Sequence, residues 1–271
     1  MSTIFPKIIK GSHPGKTTVI LASVHGNEPC GRNAFEALLG DLVIENGTVI
    51  FEIGNPRAVE QNTRFAEINL NRMFRSDNTI SEQEKNTYEY QRAQELKKLF
   101  DGADALLDIH SSFNKKSKRF IICEPNGFAI ASQLPFDLRC TGFDEYEPGG
   151  TDGYMNSHNK IGICVECGQH EDPLAIEVAE DTIKSFLIAM GHTSGNTSIQ
   201  NQKTITIFDL YKNKSNMFRL TREFEDFENL PAGTSIGFDG ELEIKTPSEC
   251  SILFAHNIVD KIGQECFLLA K

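Results

Sequence analysis

The stretch Thr17-Thr18-Val19-Ile20-Leu21-Ala22-Ser23-Val24-His25-Gly26-Asn27-Glu28 decides the fold. Its apolar run, rich in Val and Ile, predicts a buried strand, and an amphipathic helix is expected to begin at or just after Glu28. His25 and Glu28 then lie at the carboxyl end of a strand, where α/β proteins place their sites. Imidazole and carboxylate are a common ligand pair for catalytic zinc. The alternative is a pair that only caps the helix, and so short a motif does not decide between the two.

The bulk properties exclude several classes of protein. A chain of 271 residues with 39% hydrophobic residues can form one large domain, or a catalytic domain with a small satellite. We expect no membrane partner, because no apolar run approaches the length of a transmembrane span. The first residues lack the pattern of a signal peptide, which predicts a cytoplasmic protein. The formal charge of −11 argues against a nucleic-acid partner, which would need clustered Lys and Arg.

The seven cysteines are scattered along the chain and odd in number. Without an export signal, we interpret them as reduced, buried thiols. Cys164 and Cys167 have CxxC spacing, but they fall in an extended apolar run where residues three apart face opposite sides. We therefore interpret this pair as structural rather than as a metal or redox pair.

Predicted strands and helices alternate up to residue 190. The strands are expected at residues 18–24, 48–53, 103–109, 120–123 and 161–165. The helices are expected after Glu28, at 81–100 behind a Ser81/Glu84 capping box, in the later part of 124–132, and at 173–190. Residues 145–153 resemble a loop. This alternation predicts an α/β fold with a mostly parallel mixed sheet flanked by helices.

The pattern changes at residues 191–197. The segments beyond them are short and β-like, at 204–210, 216–224, 242–245, 251–256 and 265–270. They are separated by turn residues and show no long helical period, which predicts a small all-β domain. We expect a catalytic domain at residues 1–194 and the β domain at residues 195–271.

Residues 57–75 are predicted to form a long, irregular and polar loop. Loops of this length inside a compact domain are usually functional or disordered. Apolar residues interleaved with its arginines and amides could hold it against the core: Phe65, Leu70, Met73 and Phe74. They favour a functional loop.

The strand ends are predicted to bring four chemically active residues together. His25, Glu28, His110 and Glu166 each lie at or just beyond the end of an apolar strand, and such ends share one edge of a parallel sheet. The first three form the two-His, one-Glu ligand set of catalytic zinc hydrolases, with one Zn2+ per chain. Glu166 is the candidate base for a zinc-activated water. Gly26 is expected to let the backbone turn tightly between the first two ligands.

Four further residues are candidates at this site. Asp108 is expected on the same face as His110, and it would either orient a ligand imidazole or bind nearby backbone amides. Arg64 could stabilise an oxyanion. Asn71 with Arg72 could hold a substrate carboxylate. The remaining histidines have no ligand-like neighbours, and surface or locally bonded roles are expected for them: His13, His158, His170, His192 and His256.

These motifs resemble the succinylglutamate desuccinylase/aspartoacylase family, a branch of the zinc carboxypeptidase superfamily. The matching motifs are His25-Gly26-Asn27-Glu28, Asn55-Pro56-Arg57-Ala58, Thr63-Arg64-Phe65, Asn69-Leu70-Asn71-Arg72-Met73-Phe74, Asp108-Ile109-His110 and Val165-Glu166-Cys167-Gly168. They cover the whole catalytic domain in the order of the family, which also has a small β tail.

The resemblance implies a carboxypeptidase-like α/β/α domain and hydrolysis of an N-acyl amino acid. It implies zinc on His25, Glu28 and His110, Glu166 as general base, Arg64 as carbonyl polariser, and Asn71 with Arg72 as carboxylate clamp. The chain departs from the family in having Asn69 where the family has Asp. Unlike aspartoacylases, it has no arginine shortly before the catalytic Glu, since none occurs between Arg139 and Arg219, and no tyrosine at 258–263; this tail is more similar to the desuccinylase branch. The stretch Asn55-Pro56-Arg57-Ala58 is more similar to the aspartoacylase branch, so the choice between the two branches stays open.

The first hypothesis is a zinc-dependent deacylase that cleaves the amide bond of a small N-acyl amino acid or a similar carboxylated amide. The second is a zinc carboxypeptidase-like peptidase that acts on a peptide or a cell-wall fragment. The third is a zinc-binding module without catalysis, against which the presence of Glu166 argues. The sequence leaves open whether the chain forms a homo-oligomer.

Overall fold

The secondary structure alternates between strands and helices before it becomes purely β. The computed structural model describes residues 5–114, 116–259 and 261–271. The first strands are β1 (Lys7–Lys10), β2 (His13–Ala22), β3 (Asn46–Ile53), β4 (Ala105–Ser112), β5 (Phe120–Cys123), β6 (Leu138–Thr141) and β7 (Ile161–Gln169). The later strands are β8 (Lys203–Lys212), β9 (Met217–Leu220), β10 (Glu228–Leu230), β11 (Ser235–Asp239), β12 (Leu242–Lys245), β13 (Cys250–Leu253), β14 (Ile258–Val259) and β15 (Glu265–Ala270).

The helices connect the strands of the first part. They are α1 (Cys30–Leu38), α2 (Pro56–Gln61), α3 (Glu82–Lys85), α4 (Tyr88–Asp101), α5 (Phe128–Ala131), α6 (Phe143–Tyr146), α7 (Thr151–Ser157) and α8 (Pro173–Ala189). Short 3-10 helices occur at Leu70–Arg72, Asp77–Thr79 and Pro125–Gly127. No helix in the described ranges is both long and apolar enough to span a bilayer.

A large mixed sheet forms the centre of the molecule. Its strand order is β1-β3-β2-β4-β7-β5-β6-β8-β15-β13-β10. Strands β3, β2, β4 and β7 pair in parallel, and antiparallel strands extend the sheet on both sides. This confirms the predicted α/β class with helices flanking a mixed sheet. A second, antiparallel sheet has the order β12-β11-β9-β14.

The large sheet continues across the predicted domain boundary. Strand β8 follows residue 194 and pairs in parallel with β6, and β15 pairs with β8. Four of the described strands beyond residue 195 therefore share one sheet with the catalytic part, and the others form the second sheet; the four are β8, β15, β13 and β10. The chain changes from alternating strands and helices to strands alone near residues 194 and 195. The large sheet does not end there.

Two apolar layers cover the centre of the sheet, as expected for strands buried on both faces. Ile20 of β2 packs in a cluster that also contains Phe35 of α1 and Phe186 of α8. Leu21, which points the other way, packs in a cluster that contains Phe100 of α4. Burying each of these side chains contributes about 1.5–3 kcal/mol, so the strand ends are held on a rigid platform.

The predicted irregular loop at 57–75 is partly wrong. Asn55 accepts a hydrogen bond from the backbone N–H of Ala58 at 3.0 Å and Pro56 occupies the first turn, so a helix, α2, begins there. The prediction missed these signals because α2 is only six residues long. Met73 and Phe74 are buried against the core, as expected for a loop held in place.

Two other local predictions are wrong. The helix predicted at 81–100 is two helices, because the side chain of Thr87 accepts a hydrogen bond from Tyr90 and starts α4 anew. The Ser81/Glu84 capping box is present at the start of α3. The loop predicted at 145–153 includes the beginning of α7, and β6 was not predicted because its four residues show no clear alternation.

Candidate metal centre

Neighbouring strand ends bring the predicted ligands together. Strand β4 lies between β2 and β7, and His110 of β4 is directly opposite Glu166 of β7. His25 and Glu28 follow the end of β2. His25, Glu28 and His110 each offer a ligand atom, and these atoms lie within 4.8 Å of one another. All three side chains are buried.

The two imidazoles face one carboxylate. Nδ1 of His25 lies 2.8 Å from Oε1 of Glu28, and Nδ1 of His110 lies 2.8 Å from Oε2 of the same residue. Each ring thus turns Nδ1 inward and Nε2 outward. Two nitrogen atoms and one carboxylate, converging at a buried point, fit a metal ion that keeps an open position.

Burial and mutual charge control the protonation of this group. Burial lowers the pKa of His25 to about 4. Burial would raise the pKa of Glu28, but His25 and His110 hold that pKa well below its usual range. Burial lowers the pKa of His110, but Asp108 more than compensates and raises it. Glu28 is therefore ionised and suited to bind a cation.

Glu166 and Arg64 both lie beside this group. Burial and the negative charge of Glu28 raise the pKa of Glu166 to about 8. Its Oε2 is buried and has no hydrogen-bond partner within the described part of the chain. Nη1 of Arg64 donates to Oε1 of Glu28 at 3.1 Å, and the Arg64 side chain is about half exposed. The structure thus places a carboxyl group and a guanidinium next to the predicted ligands.

The predicted carboxylate clamp is already engaged within the protein. The guanidinium of Arg72 donates to Glu265 from Nε at 3.1 Å and from Nη2 at 2.6 Å. Its Nη2 also lies 2.9 Å from Oε2 of Glu147, and its Nη1 donates to the backbone oxygen of Asn71. Oδ1 of Asn71 accepts the backbone N–H of Thr151 at 3.1 Å. Sequence reasoning missed both glutamates, since neither lies near Arg72 along the chain.

Asp108 lies beside His110, as one of its two predicted roles requires. Its Oδ2 is 3.0 Å from Nε2 of His110 and accepts the hydroxyl of Thr151 at 2.5 Å. The approach to Nε2 is too oblique for a well-formed hydrogen bond, so the contact is mainly electrostatic. Within the described ranges no backbone amide donates to Asp108.

Asn69 contacts the other histidine ligand. Its Oδ1 lies 3.1 Å from Nε2 of His25 and accepts the backbone N–H of Asn71 at 3.0 Å. The sequence analysis identified Asn69 only as a departure from the family pattern and predicted no contact with His25. Its position two residues before Asn71, in an Asx-type turn, was the signal that could have predicted the second contact.

Glu89 of α4 holds the loop that carries Arg64 and Asn69. Its buried carboxylate accepts the backbone N–H groups of Ala66, Glu67 and Ile68. It also accepts Nδ2 of Asn55 at 3.1 Å. Sequence reasoning missed Glu89, because one acidic residue in a charged helix resembles its solvated neighbours.

Gly26 has a different role from the predicted one. Its backbone is not in the left-handed region, so no tight turn requires a glycine. A Cβ atom there would lie 2.1 Å from the backbone carbon of Ala58. The backbone N–H of Gly26 also donates to the backbone oxygen of Arg64 at 3.2 Å. Gly26 is therefore required by the close approach of α2 to the end of β2.

Cys164 and Cys167 were predicted to be structural, and the remaining histidines were predicted to lie on the surface or to be bonded locally. Cys164 and Cys167 are both free and buried, and they belong to different apolar clusters on β7. His192 is buried, and its ring bonds to Thr18 and to the backbone oxygen of Asn46, 174 and 146 residues away along the chain, so the expected surface or local role is wrong for it. His170 lies closer to the site than expected, because its Nδ1 is 3.0 Å from Oγ of Ser111.

A cleft of about 820 Å³ opens in front of these residues. The residues contributed to its wall by the catalytic part include His25, Glu28, Arg64, His110 and Glu166. The segments beyond residue 195 contribute Asp226, His256, Lys261 and Glu265, among others. A cleft of this size suits a small ligand.

The chain is similar to known proteins over most of its length. Residues 14–190 match the family model described as succinylglutamate desuccinylase/aspartoacylase catalytic domain. Succinylglutamate desuccinylase of Shewanella woodyi is 27% identical, with 98% of this chain and 84% of that protein covered. Aspartoacylase of Mus musculus is 34% identical over 61% of this chain and 54% of its own length.

Solved structures share the fold. Succinylglutamate desuccinylase from Vibrio cholerae has a TM-score of 0.78 at 20% identity, covering 95% of this chain and 81% of that one. The ectoine utilization protein EutE (DoeB) from Ruegeria pomeroyi has a TM-score of 0.74 at 18% identity, covering 97% and 87%. The matched family model spans more than half of the residues, including every predicted ligand. The chain accordingly belongs to the succinylglutamate desuccinylase/aspartoacylase family.

Proposed function

We propose that the protein is a zinc-dependent deacylase that hydrolyses the amide bond of a small N-acyl amino acid or a similar carboxylated amide. The observation that carries this proposal is the convergence of His25, Glu28 and His110 beside Glu166 at one edge of the sheet. Membership in a family of amide-bond hydrolases supports the reaction type.

The protein residues divide the work of hydrolysis. Nδ1 of His25, the Glu28 carboxylate and Nδ1 of His110 would hold one zinc ion. When bound, zinc supplies Lewis-acid polarisation and lowers the pKa of a coordinated water. In its ionised form, which a nearby cation favours, Glu166 accepts a proton from the attacking water and delivers it to the leaving nitrogen. Its carboxyl group has no competing partner within the described residues, which supports this role.

Two cationic or amide side chains meet the substrate. Arg64 is half exposed beside Glu28, and its guanidinium would donate to the carbonyl oxygen as negative charge develops there. Asn71 lines the cleft and would hold a substrate carboxylate through its amide N–H groups. A substrate carboxylate reaches Arg72 only in competition with Glu147 and Glu265.

The alternative is a peptidase of the same fold. A peptide would need a cleft that continues past the reacting bond. The segments beyond residue 195 contribute part of the cleft wall, which favours a small substrate. The names of two matched relatives, succinylglutamate desuccinylase and aspartoacylase, also favour small acyl amino acids.

A panel assay tests the proposal. Purified protein with zinc is incubated with acetyl-, succinyl- and formyl-amino acids, and release of the free amino acid is measured. We expect turnover of at least one substrate, loss of zinc in His25→Ala, and loss of turnover with zinc retained in Glu166→Gln. Glu171→Gln changes an exposed glutamate nearby and serves as the matched control. Activity that survives Glu166→Gln, or zinc bound without His25, would refute the proposal.

A further inference from the structure

We propose that Asn69 and Thr151 are positioning residues, which join the two histidine ligands through one ring of polar contacts. This inference rests on the proposed function only in taking His25 and His110 as the metal ligands. The ring runs from His25 through Asn69, Asn71, Thr151 and Asp108 to His110, and Glu28 closes it.

Asn69 forms the first half of the ring. An amide oxygen only accepts hydrogen bonds, so Oδ1 of Asn69 favours the form of His25 that carries its proton on Nε2, which is the form that a metal on Nδ1 needs. Nδ1 of His25 then keeps its lone pair, directed towards the position of the metal. The same Oδ1 accepts the N–H of Asn71 and fixes the start of the Leu70–Arg72 turn. One atom thus orients a ligand and a predicted substrate-binding residue.

Thr151 forms the second half. It is fully buried, and it donates twice: from its backbone N–H to Oδ1 of Asn71, and from its hydroxyl to Oδ2 of Asp108. Asp108 in turn lies 3.0 Å from Nε2 of His110. Without the Thr151 hydroxyl, the Asp108 carboxylate would lose its only hydrogen bond within the described part of the chain. A freed carboxylate would no longer hold the His110 ring in a fixed orientation.

The ring has a consequence for binding. Because Oδ1 of Asn71 is used by Thr151, only its Nδ2 group remains to meet a ligand in the cleft. A ligand that shifts Asn71 therefore also shifts Asn69 and Thr151, which contact His25 directly and His110 through Asp108. Metal binding and ligand binding should depend on the same residues, although neither Asn69 nor Thr151 bonds to the reacting atoms.

The first test measures zinc affinity without any substrate, by titration of metal-free protein against a competing chelator. Thr151→Val keeps the size of the side chain but removes the hydroxyl, and we expect zinc to bind about 10- to 100-fold more weakly. Thr151→Ser keeps the hydroxyl and should bind zinc within about twofold of wild type. Thr182→Val is the matched control, because Thr182 is also buried and, within the described residues, its hydroxyl donates to the backbone oxygen of Val178 and to no residue of the site.

The second test uses the metal-free protein and addresses Asn69. Zinc titration against the same chelator should give an affinity within about twofold of wild type for Asn69→Asp, which keeps an acceptor, and an affinity about 10- to 100-fold weaker for Asn69→Ala. This readout is independent of turnover, so a protein that hydrolyses nothing on the panel would refute the proposed function and leave the ring in place.

The double variant Asn69→Ala/Thr151→Val tests the coupling. Because both changes break one ring, the zinc affinity of the double variant should fall by less than the product of the two single effects. Independent, multiplying effects would overturn the proposal. It would also be overturned if Thr151→Val bound zinc like wild type, or if Thr182→Val weakened zinc binding equally. Thermal unfolding of each metal-free variant separates loss of affinity from loss of the fold.

Discussion

Replacing the buried Glu89 tests whether its carboxylate holds the loop that carries Arg64 and Asn69 in place. Glu89→Gln keeps the shape of the side chain but replaces one acceptor oxygen by a donor. If the new amide occupies the Oε2 position, it faces the N–H groups of Glu67 and Ile68. Ile68 then loses its acceptor, and the remaining bonds lose their charge assistance. Since hydrogen bonds to a charged group contribute about 1.5–3 kcal/mol each, we expect a loss of about 2–4 kcal/mol in the free energy of unfolding.

Thermal and urea unfolding measure this loss. For a chain of this length, about 3 kcal/mol corresponds to a fall in Tm of about 5–10 °C. Glu82→Gln, on the exposed face of α3, is the control and should change the free energy of unfolding by less than about 0.5 kcal/mol. Turnover should fall as well, because the loop also carries Arg64. A Glu89→Gln protein as stable as the control would show that the carboxylate does not hold the loop.

Three further outcomes are expected. In Gly26→Ala the new Cβ would collide with the backbone of Ala58 and displace the segment that carries His25 and Glu28. The free energy of unfolding should therefore fall by about 1–3 kcal/mol and zinc should bind more weakly, as unfolding and zinc titration will show. Glu265→Gln should lower KM for a substrate with a second carboxylate by about fivefold, or about 1 kcal/mol, because one competitor for Arg72 becomes neutral; an unchanged KM in steady-state kinetics would contradict this. Metal-free wild-type protein should lose more stability than metal-free Glu166→Gln as pH rises from about 5 to 8, because burial raises the pKa of Glu166 to about 8 and its proton is bound more tightly in the folded state; urea unfolding of both proteins at several pH values measures the difference.

Sequence reasoning succeeded where one local pattern determines the geometry. Parallel apolar strands that lead to His25, His110 and Glu166 in their carboxyl-terminal parts place these residues near one edge of the sheet. The structure brings them together there. The side on which Asp108 points followed from the two-residue period of a strand.

The parts that could not be predicted depend on contacts between distant segments. Arg72 could be recognised as a cation in a functional loop, but its partner Glu265 lies 193 residues away. Glu89 looks like a surface residue until α4 is packed beneath the loop. Strand β6 has four residues and gains its place from pairing with β5 and β8 rather than from its own sequence.

The continuous sheet has a consequence for the order in which the molecule is completed during synthesis. Strand β15 lies between β8 and β13, and its first residue, Glu265, neutralises Arg72 in the cleft. The ribosome must therefore release residues 265–270 before the cleft wall is complete. Until β15 arrives, one side of β8 presents unpaired backbone groups to other chains. The nascent chain is most exposed to aggregation while those residues are still in the exit tunnel.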